Sequence, residues 1–214
     1  MHPEENRQNL ITLFKRLPGI GPRQAGRCVD FLRRSNDDFG ESFTSLTKLV
    51  RDQTVTCPMC QRLFSKLEHV DVELCRICFN PHRQDQTLLI TQQDIDIDQF
   101  EKTGTYEGRY FVLGGVIPAG KKDQARHYIN IEKLLERIRD ILEQPDSKDQ
   151  PIEIIFALHA TPEADQTTTF LQTTLGEQFP HKLTFTKLAR GLSTGTEIEY
   201  ADPQTLIDAL KGRQ

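Results

Sequence analysis

Two Cys-x-x-Cys pairs, Cys57-Pro58-Met59-Cys60 and Cys75-Arg76-Ile77-Cys78, stand 14 residues apart in the chain. Each pair can offer two thiolates from one tight turn, and two such turns brought together make the tetrahedral four-sulfur site that Zn2+ accepts at about 2.3 Å. The protein would fill all four positions and leave none for a catalytic water. The zinc expected is therefore structural, one per chain, and its binding energy is largely the folding energy of the segment. Other fates of the same sulfurs stay open. Paired disulfides need an oxidising compartment, and a redox Cys-x-x-Cys needs only one pair on a thioredoxin-like frame. An iron–sulfur cluster also takes four thiolates, but the symmetric pairs fit zinc better than the ferredoxin spacings. The fifth cysteine, Cys28, falls on the apolar face of a helix and reads as a small buried hydrophobe.

A second chemistry is written at Leu17-Pro18-Gly19-Ile20-Gly21-Pro22. Gly19 and Gly21 allow a sharp turn and close approach, and Pro22 suits the first turn of a following helix. Exposed amides and the positive end of that helix dipole make a phosphate cradle, and Arg23 and Arg27, four residues apart, share the helix face beside it. The pattern looks like the helix-hairpin-helix motif of DNA-binding proteins, which grips phosphates without reading bases. Charge agrees: residues 1–34 hold seven Lys or Arg against three Asp or Glu, a net of +4, in a chain whose overall net is −4. A solvated helix face or a purely structural helical hairpin, including one used as a subunit contact, is the other reading.

Two further features lead less far. Gly115-Val116-Ile117-Pro118-Ala119-Gly120-Lys121-Lys122 nearly fits a nucleotide-binding phosphate loop. Lys122 stands where the Mg2+-holding hydroxyl belongs, and Pro118 removes a backbone donor. ATP hydrolysis is not expected there. Glu163 and Asp165 place two carboxylates after an apolar strand, where α/β proteins commonly bind ligands. A Mg2+ site would need a further acid, and the turn after the first strand reads Thr91-Gln92-Gln93-Asp94, amides before the first acid. The simpler reading is a polar N-terminus on the following helix.

The elements that must position these residues follow from periodicity. Leu10, Leu13, Phe14 and Leu17, then Ala25, Cys28, Val29 and Leu32, recur at helical spacing on either side of the glycine-proline turn, and Phe43, Leu46, Leu49 and Val50 predict a third helix over 42–51. The cysteine segment has too little apolar material for a core of its own. After Arg83 come strand-like runs, Leu88 to Ile90, Tyr110 to Leu113, Ile154 to Leu158 and Leu183 to Phe185, with helices expected over 131–142 and 164–179 and a polar loop over 144–150. Strands alternating with helices imply a parallel sheet covered on both faces. The expected fold is multi-domain α/β: a helical head over 1–54, a zinc module over 55–80, an α/β domain over 81–190 and a tail over 191–214. With 36% apolar and 27% charged residues, and no uncharged apolar run near the roughly 18 residues a bilayer crossing needs, a membrane-spanning protein is not expected. The first 30 residues lack the layout of a secretory signal, so a cytoplasmic location is expected.

Taken in order, these features resemble the RecR family, bacterial recombination mediators of the RecFOR repair pathway. The resemblance rests on the Leu17 to Pro22 hairpin, the segment ending Cys75-Arg76-Ile77-Cys78-Phe79-Asn80-Pro81-His82-Arg83, the stretch from Thr103-Gly104 through Gly108-Arg109 to Leu113, and Arg190-Gly191-Leu192-Ser193-Thr194-Gly195. It implies a helix-hairpin-helix head, a zinc module, a Toprim-type parallel α/β domain and a C-terminal tail. It also implies a ring-like homo-oligomer, dimer or tetramer, that clamps DNA and works with RecO, and in some bacteria RecF, to help RecA load at gaps. In Toprim enzymes a glutamate after the first strand and a later pair of acids bind the catalytic metal. Gln92 occupies the first position here, while Glu163 and Asp165 match the pair. The loop after Gly115 also lacks the family's usual Gly-rich sequence, having Ala119-Gly120-Lys121-Lys122. A non-catalytic DNA-binding role is expected, with a metal-dependent Toprim nuclease or primase-like enzyme as the alternative.

Overall fold

The computed structural model describes residues 3–66, 73–144, 151–189, 191, 192, 195 and 197–212. Residues 145–150 of the polar loop, and Arg190, Ser193 and Thr194 of the C-terminal motif, lie outside the described residues. The chain forms two units, Met1–Thr54 and Val55–Gln214.

The first unit is all helical: α1 (Pro3–Phe14), α2 (Pro22–Arg34) and α3 (Asp37–Gln53). Ala25 and Val29 are the buried residues of α2, and Arg7 of α1 pairs with Asp30 of α2 at 3.3 Å. The third helix begins earlier than its apolar pattern predicts because Asn36 caps it: the Asn36 side chain accepts the Phe39 amide at 3.1 Å, and Asp37 and Asp38 sit at the positive end of the dipole. Its stripe of Phe39, Phe43, Leu46, Leu49 and Val50 is exposed, and α3 buries none of its residues. Cys28 departs from its expected burial. It is only half-buried and lines an apolar groove with Phe14, Ile20, Phe31, Phe39 and Phe43, because within this unit nothing closes over that side of α2.

The second unit is built on a four-stranded parallel sheet in the order β4-β3-β5-β6, from β3 (Gln84–Thr91), β4 (Gly108–Val112), β5 (Ile152–Ala157) and β6 (Leu183–Lys187). Period-two alternation divides its side chains between two layers. Leu88, Ile90, Phe111, Ile154 and Phe156 pack with Leu134, Ile138 and Ile141 of α6 (Ile131–Glu143) and Leu171 and Leu175 of α7 (Pro162–Gln178). Leu89, Tyr110 and Val112 face the opposite layer, where they meet Ile97 of α5 (Asp94–Thr103) and all four paired cysteines. The expected parallel sheet with both faces covered is therefore present, and the cysteine segment is part of one cover. A short hairpin of β1 (Thr54–Thr56) and β2 (Leu63–Ser65), then α4 (Arg76–Phe79), frame that segment, and α8 (Pro203–Lys211) closes the described chain. Among the described residues no helix is long and apolar enough to cross a membrane.

Candidate functional site

The cysteine pairs form two knuckles. In the first, the Gln61 amide donates to the Cys57 carbonyl at 2.9 Å and the Cys57 amide to the Arg62 carbonyl at 2.8 Å, with Gln61 in the left-handed region at φ 60°. In the second, Cys75 caps α4 and its carbonyl accepts the Phe79 amide at 2.9 Å. The Cys75 amide donates to Cys57 Sγ at 3.5 Å and joins the knuckles. All four sulfurs lie buried within 4.8 Å of one another. Cys60 Sγ and Cys75 Sγ are 3.6 Å apart, near the roughly 3.8 Å edge of a tetrahedron of metal–sulfur bonds about 2.3 Å long and far beyond a disulfide bond of about 2.05 Å. The chemistry of crowding agrees. Hydrogen-bonded to Cys57, the Cys60 thiol is held well above the ordinary cysteine range, and Cys57 is held well below it by Cys60. Full ionisation of the set needs a cation, and the donors suit a thiophilic metal ion with no open coordination position.

Here the sequence expectation of a segment unable to make its own core meets its answer. Met59, Phe64 and Leu74 pack into the sheet layer around the sulfurs, and the Val112 amide of β4 donates to the Cys60 carbonyl at 2.8 Å. Arg62 pairs with Asp98 at 2.5 Å, and the Leu63 amide donates to Asp94 Oδ1 at 3.1 Å. Sequence reasoning missed these polar ties to α5, because Asp94 and Asp98 look like ordinary surface acids in a charged helix.

In the helical unit the turn at Pro18 to Pro22 has the conformation its residues call for. Gly19 sits at φ 76°, where a side chain is strained, and Pro22 opens α2. Gly21 caps that helix, and its amide is taken by Gln24 Oε1 at 2.9 Å, so it does not face outward as the sequence suggested. The amides of Arg23 and Gln24 in the first turn remain beyond intrahelical reach. Arg23 and Arg27 are both exposed on the same helix, and the Arg27 stem runs along the apolar groove beside Cys28.

At the C-terminal edge of the sheet, Gln92 follows β3, and Glu163 and Asp165 occupy the first turn of α7, just past β5. Thr161 caps that turn by accepting the Ala164 amide at 3.2 Å, which matches the reading of these acids as a polar helix start. Among the described residues the four cysteines are the group of three or more His, Cys, Asp or Glu gathered closely enough to hold a metal; Glu163 and Asp165 belong to no such group. His159 after β5 instead approaches Asp96 of α5 at 3.4 Å across the edge. The loop from Gly115 is tied down as structure: Ile117 is buried, its amide donates to Thr167 Oγ1 at 2.9 Å, and Asn130 donates to the Leu113 carbonyl at 2.8 Å. A 3-10 turn over Lys122–His127, unforeseen from sequence, follows it.

The family described as "RecR, C-terminal" matches residues 191–214. Over nearly the whole length, the chain is similar to proteins described as "Recombination protein RecR". It is 38% identical to that of Amoebophilus asiaticus (strain 5a2), covering 96% of this chain and 94% of the relative. It is 33% identical to that of Lactobacillus helveticus (strain DPC 4571), covering 96% and 94%, and 34% identical to that of Roseiflexus sp. (strain RS-1), covering 96% and 91%.

Proposed function

The chain belongs to the RecR family of recombination proteins, and from that premise we propose that it is a non-catalytic DNA-binding mediator of recombinational repair in the cytoplasm. In this reading Arg23, Arg27 and the backbone at the Gly19 turn form the phosphate-gripping surface, with Gly21 setting the start of the helix as its cap, and Cys57, Cys60, Cys75 and Cys78 hold one structural zinc. The observation that carries it is the pairing of an exposed Arg23 and Arg27 with the first-turn amides of α2 at a left-handed Gly19 turn, inside a segment of net positive charge. Four divisions of labour follow the expected segments: head over 1–54, zinc module over 55–80, Toprim-type domain over 81–190 and tail over 191–214. Partners would be RecO, and RecF where present, with RecA loading at gaps as the outcome.

The same reading makes the sheet edge a contact surface and not an active centre. Gln92 replaces the acid that a Toprim metal would need, and Glu163 and Asp165 are used as a helix start. A homo-oligomer, ring-like and dimeric or tetrameric, is favoured by a separate observation: α3 leaves five large apolar side chains in solvent on one helix.

The test is fluorescence anisotropy of labelled gapped DNA at several salt concentrations, with the wild type and Arg23→Glu/Arg27→Glu. The wild type is expected to bind with a negative salt slope, which the double variant loses by about one per phosphate contact removed. Equal binding and equal slopes would move the DNA surface away from the hairpin.

A further inference from the structure

Strand β4 reaches both cysteine knuckles. At its C-terminal end the Val112 amide, on the outer side of an edge strand, donates to the Cys60 carbonyl of the first knuckle at 2.8 Å. Near its start the Arg109 side chain reaches the second. Arg109 Nη1 donates to the carbonyls of Ile77 at 3.2 Å, Cys78 at 3.2 Å and Asn80 at 3.0 Å, the last carbonyls of α4 and its exit. The Ile77 carbonyl also accepts the Asn80 amide, at 3.4 Å, but carbonyls at a helix end are otherwise short of donors, so a buried cation is suited to them. Three residues of strand, about 10 Å, thus separate the two attachments.

Arg109 is itself held from behind. Its Nε donates to Asp85 Oδ1 at 2.8 Å, and its side chain is 9% exposed. The same Asp85 oxygen lies 3.7 Å from Nη2 of Arg137 on α6, whose side chain is 2% exposed. No hydrogen bond to Nε, Nη1 or Nη2 of Arg137 is found among the described residues. One carboxylate therefore stands between two buried guanidiniums and leaves a unit of positive charge uncompensated within the triad. Burying such an excess is costly unless negative charge lies nearby. A divalent ion held by four thiolates carries two units of net negative charge, and its second knuckle is the very backbone that Arg109 touches.

We propose that Arg109, braced by Asp85 and Arg137, is a positioning residue of the metal centre. It fixes the knuckle bearing Cys75 and Cys78 against β4 and balances the charge of the loaded four-thiolate site. The inference rests on the four cysteines holding a metal. A lysine at this position would keep the charge but not the planar fork that serves a carboxylate and the carbonyls together.

The test uses the full chain loaded with zinc, or with Co2+ as a spectroscopic substitute, in competition with a chromogenic chelator. Arg109→Met is expected to weaken metal retention 10- to 100-fold, the usual range for outer partners of metal ligands, and to alter the thiolate-to-cobalt absorption. Arg109→Lys is expected to give a smaller loss in the same direction, and it carries the test if the methionine variant does not fold. Arg83→Met is the control for losing a partly buried, ion-paired arginine, since Arg83 donates to the carbonyls of Tyr106 and Gly108 and to Glu101, and among the described residues it has no hydrogen bond to a cysteine backbone. Wild-type affinity and an unchanged cobalt spectrum in the Arg109 variants overturn the clamp alone, as does an equal loss in the Arg83 control. A wild type that binds neither metal overturns the metal reading with it.

Discussion

The amide of Val112, the last residue of β4, donates to the carbonyl of Cys60 at 2.8 Å, so the outer edge of the main sheet ends on a turn of the four-cysteine cluster. An edge strand normally leaves such donors to solvent or to a foreign strand. Loss of the metal is therefore expected to be felt in the sheet as well as in the cysteine segment.

Replacing Cys75 with Ser is predicted to lower metal content from close to one zinc per chain to near zero and to reduce the melting temperature by on the order of 10 °C. Hydrogen exchange should show residues 55 to 66 and 73 to 80 losing protection, and the Val112 amide losing it with them. A metal-free preparation with an unaltered melting profile would refute the structural role.

The exposed stripe on α3 gives a second prediction. Phe39 stacks on Phe43 with ring centroids 6.3 Å apart, and Leu46 and Val50 continue the same helix face in solvent. Charge placed there costs the isolated unit little, because no core is disturbed, while an assembly that covers the face would have to bury it unpaired. Phe43→Glu/Leu46→Glu is expected to shift the particle mass by light scattering to a smaller species with an unchanged circular dichroism spectrum. A variant with the wild-type mass would remove α3 from the assembly surface.

What the sequence made legible was what periodicity and spacing encode. The runs at Leu88, Tyr110, Ile154 and Leu183 are the four strands, and α6 falls within one residue of its apolar stripe because Leu134, Ile138 and Ile141 repeat at helical spacing into the core. The cysteine cluster was legible because two Cys-x-x-Cys pairs at this spacing suit one four-sulfur site, and the 3.6 Å separation of the Cys60 and Cys75 sulfurs then sets the disulfide reading aside. Helix α5 was not, since Ile95 and Ile97 alternate like a strand among acids and only Ile97 is buried. The exposure of α3 was equally hidden: amphipathic spacing tells which residues share a face and not whether anything covers it. Gly21 was read as a free donor because a side chain folding back onto it, as Gln24 does, depends on a rotamer rather than on spacing.

Gly108 yields a third prediction, and it is one of packing, not of backbone freedom. A Cβ at this position would lie 2.1 Å from Thr87 Oγ1 and 2.4 Å from the Tyr106 hydroxyl. That hydroxyl donates to the Arg109 carbonyl at 2.9 Å, and burial holds the phenol's pKa up at about 12. Gly108→Ala should therefore displace Tyr106 and cost about 1–3 kcal/mol in urea denaturation. A loss under roughly 0.5 kcal/mol, the usual size of a surface substitution, would mean the site relaxes freely.

The fourth prediction concerns acid. Glu101 on α5 accepts from Arg83 Nη2 at 2.5 Å and from the Tyr110 hydroxyl at 2.8 Å. Burial pushes its carboxyl upward, but the hydrogen bonds from Arg83 and Tyr110 and the Arg83 charge outweigh it and hold the group below its ordinary value. The folded protein thus binds this proton less readily than the unfolded chain. The stabilisation is present above the unfolded carboxylate range, near pH 4.3, and is lost as pH falls through the lower folded value. Asp94 acts in the opposite sense, since burial raises its carboxyl despite the Leu63 amide, so the acid response of the wild type is a balance of the two. Glu101→Gln isolates one side of it. Relative to the wild type, the variant should be destabilised at pH 7, where Arg83 loses its ionic partner, and the gap should narrow as pH is lowered to about 3, because the unfolded wild-type chain then takes up at Glu101 a proton that the folded carboxylate resists. Denaturant midpoints for both proteins at the two pH values decide the matter: a gap that stays constant would mean that Glu101 contributes through packing, with its charge irrelevant to stability.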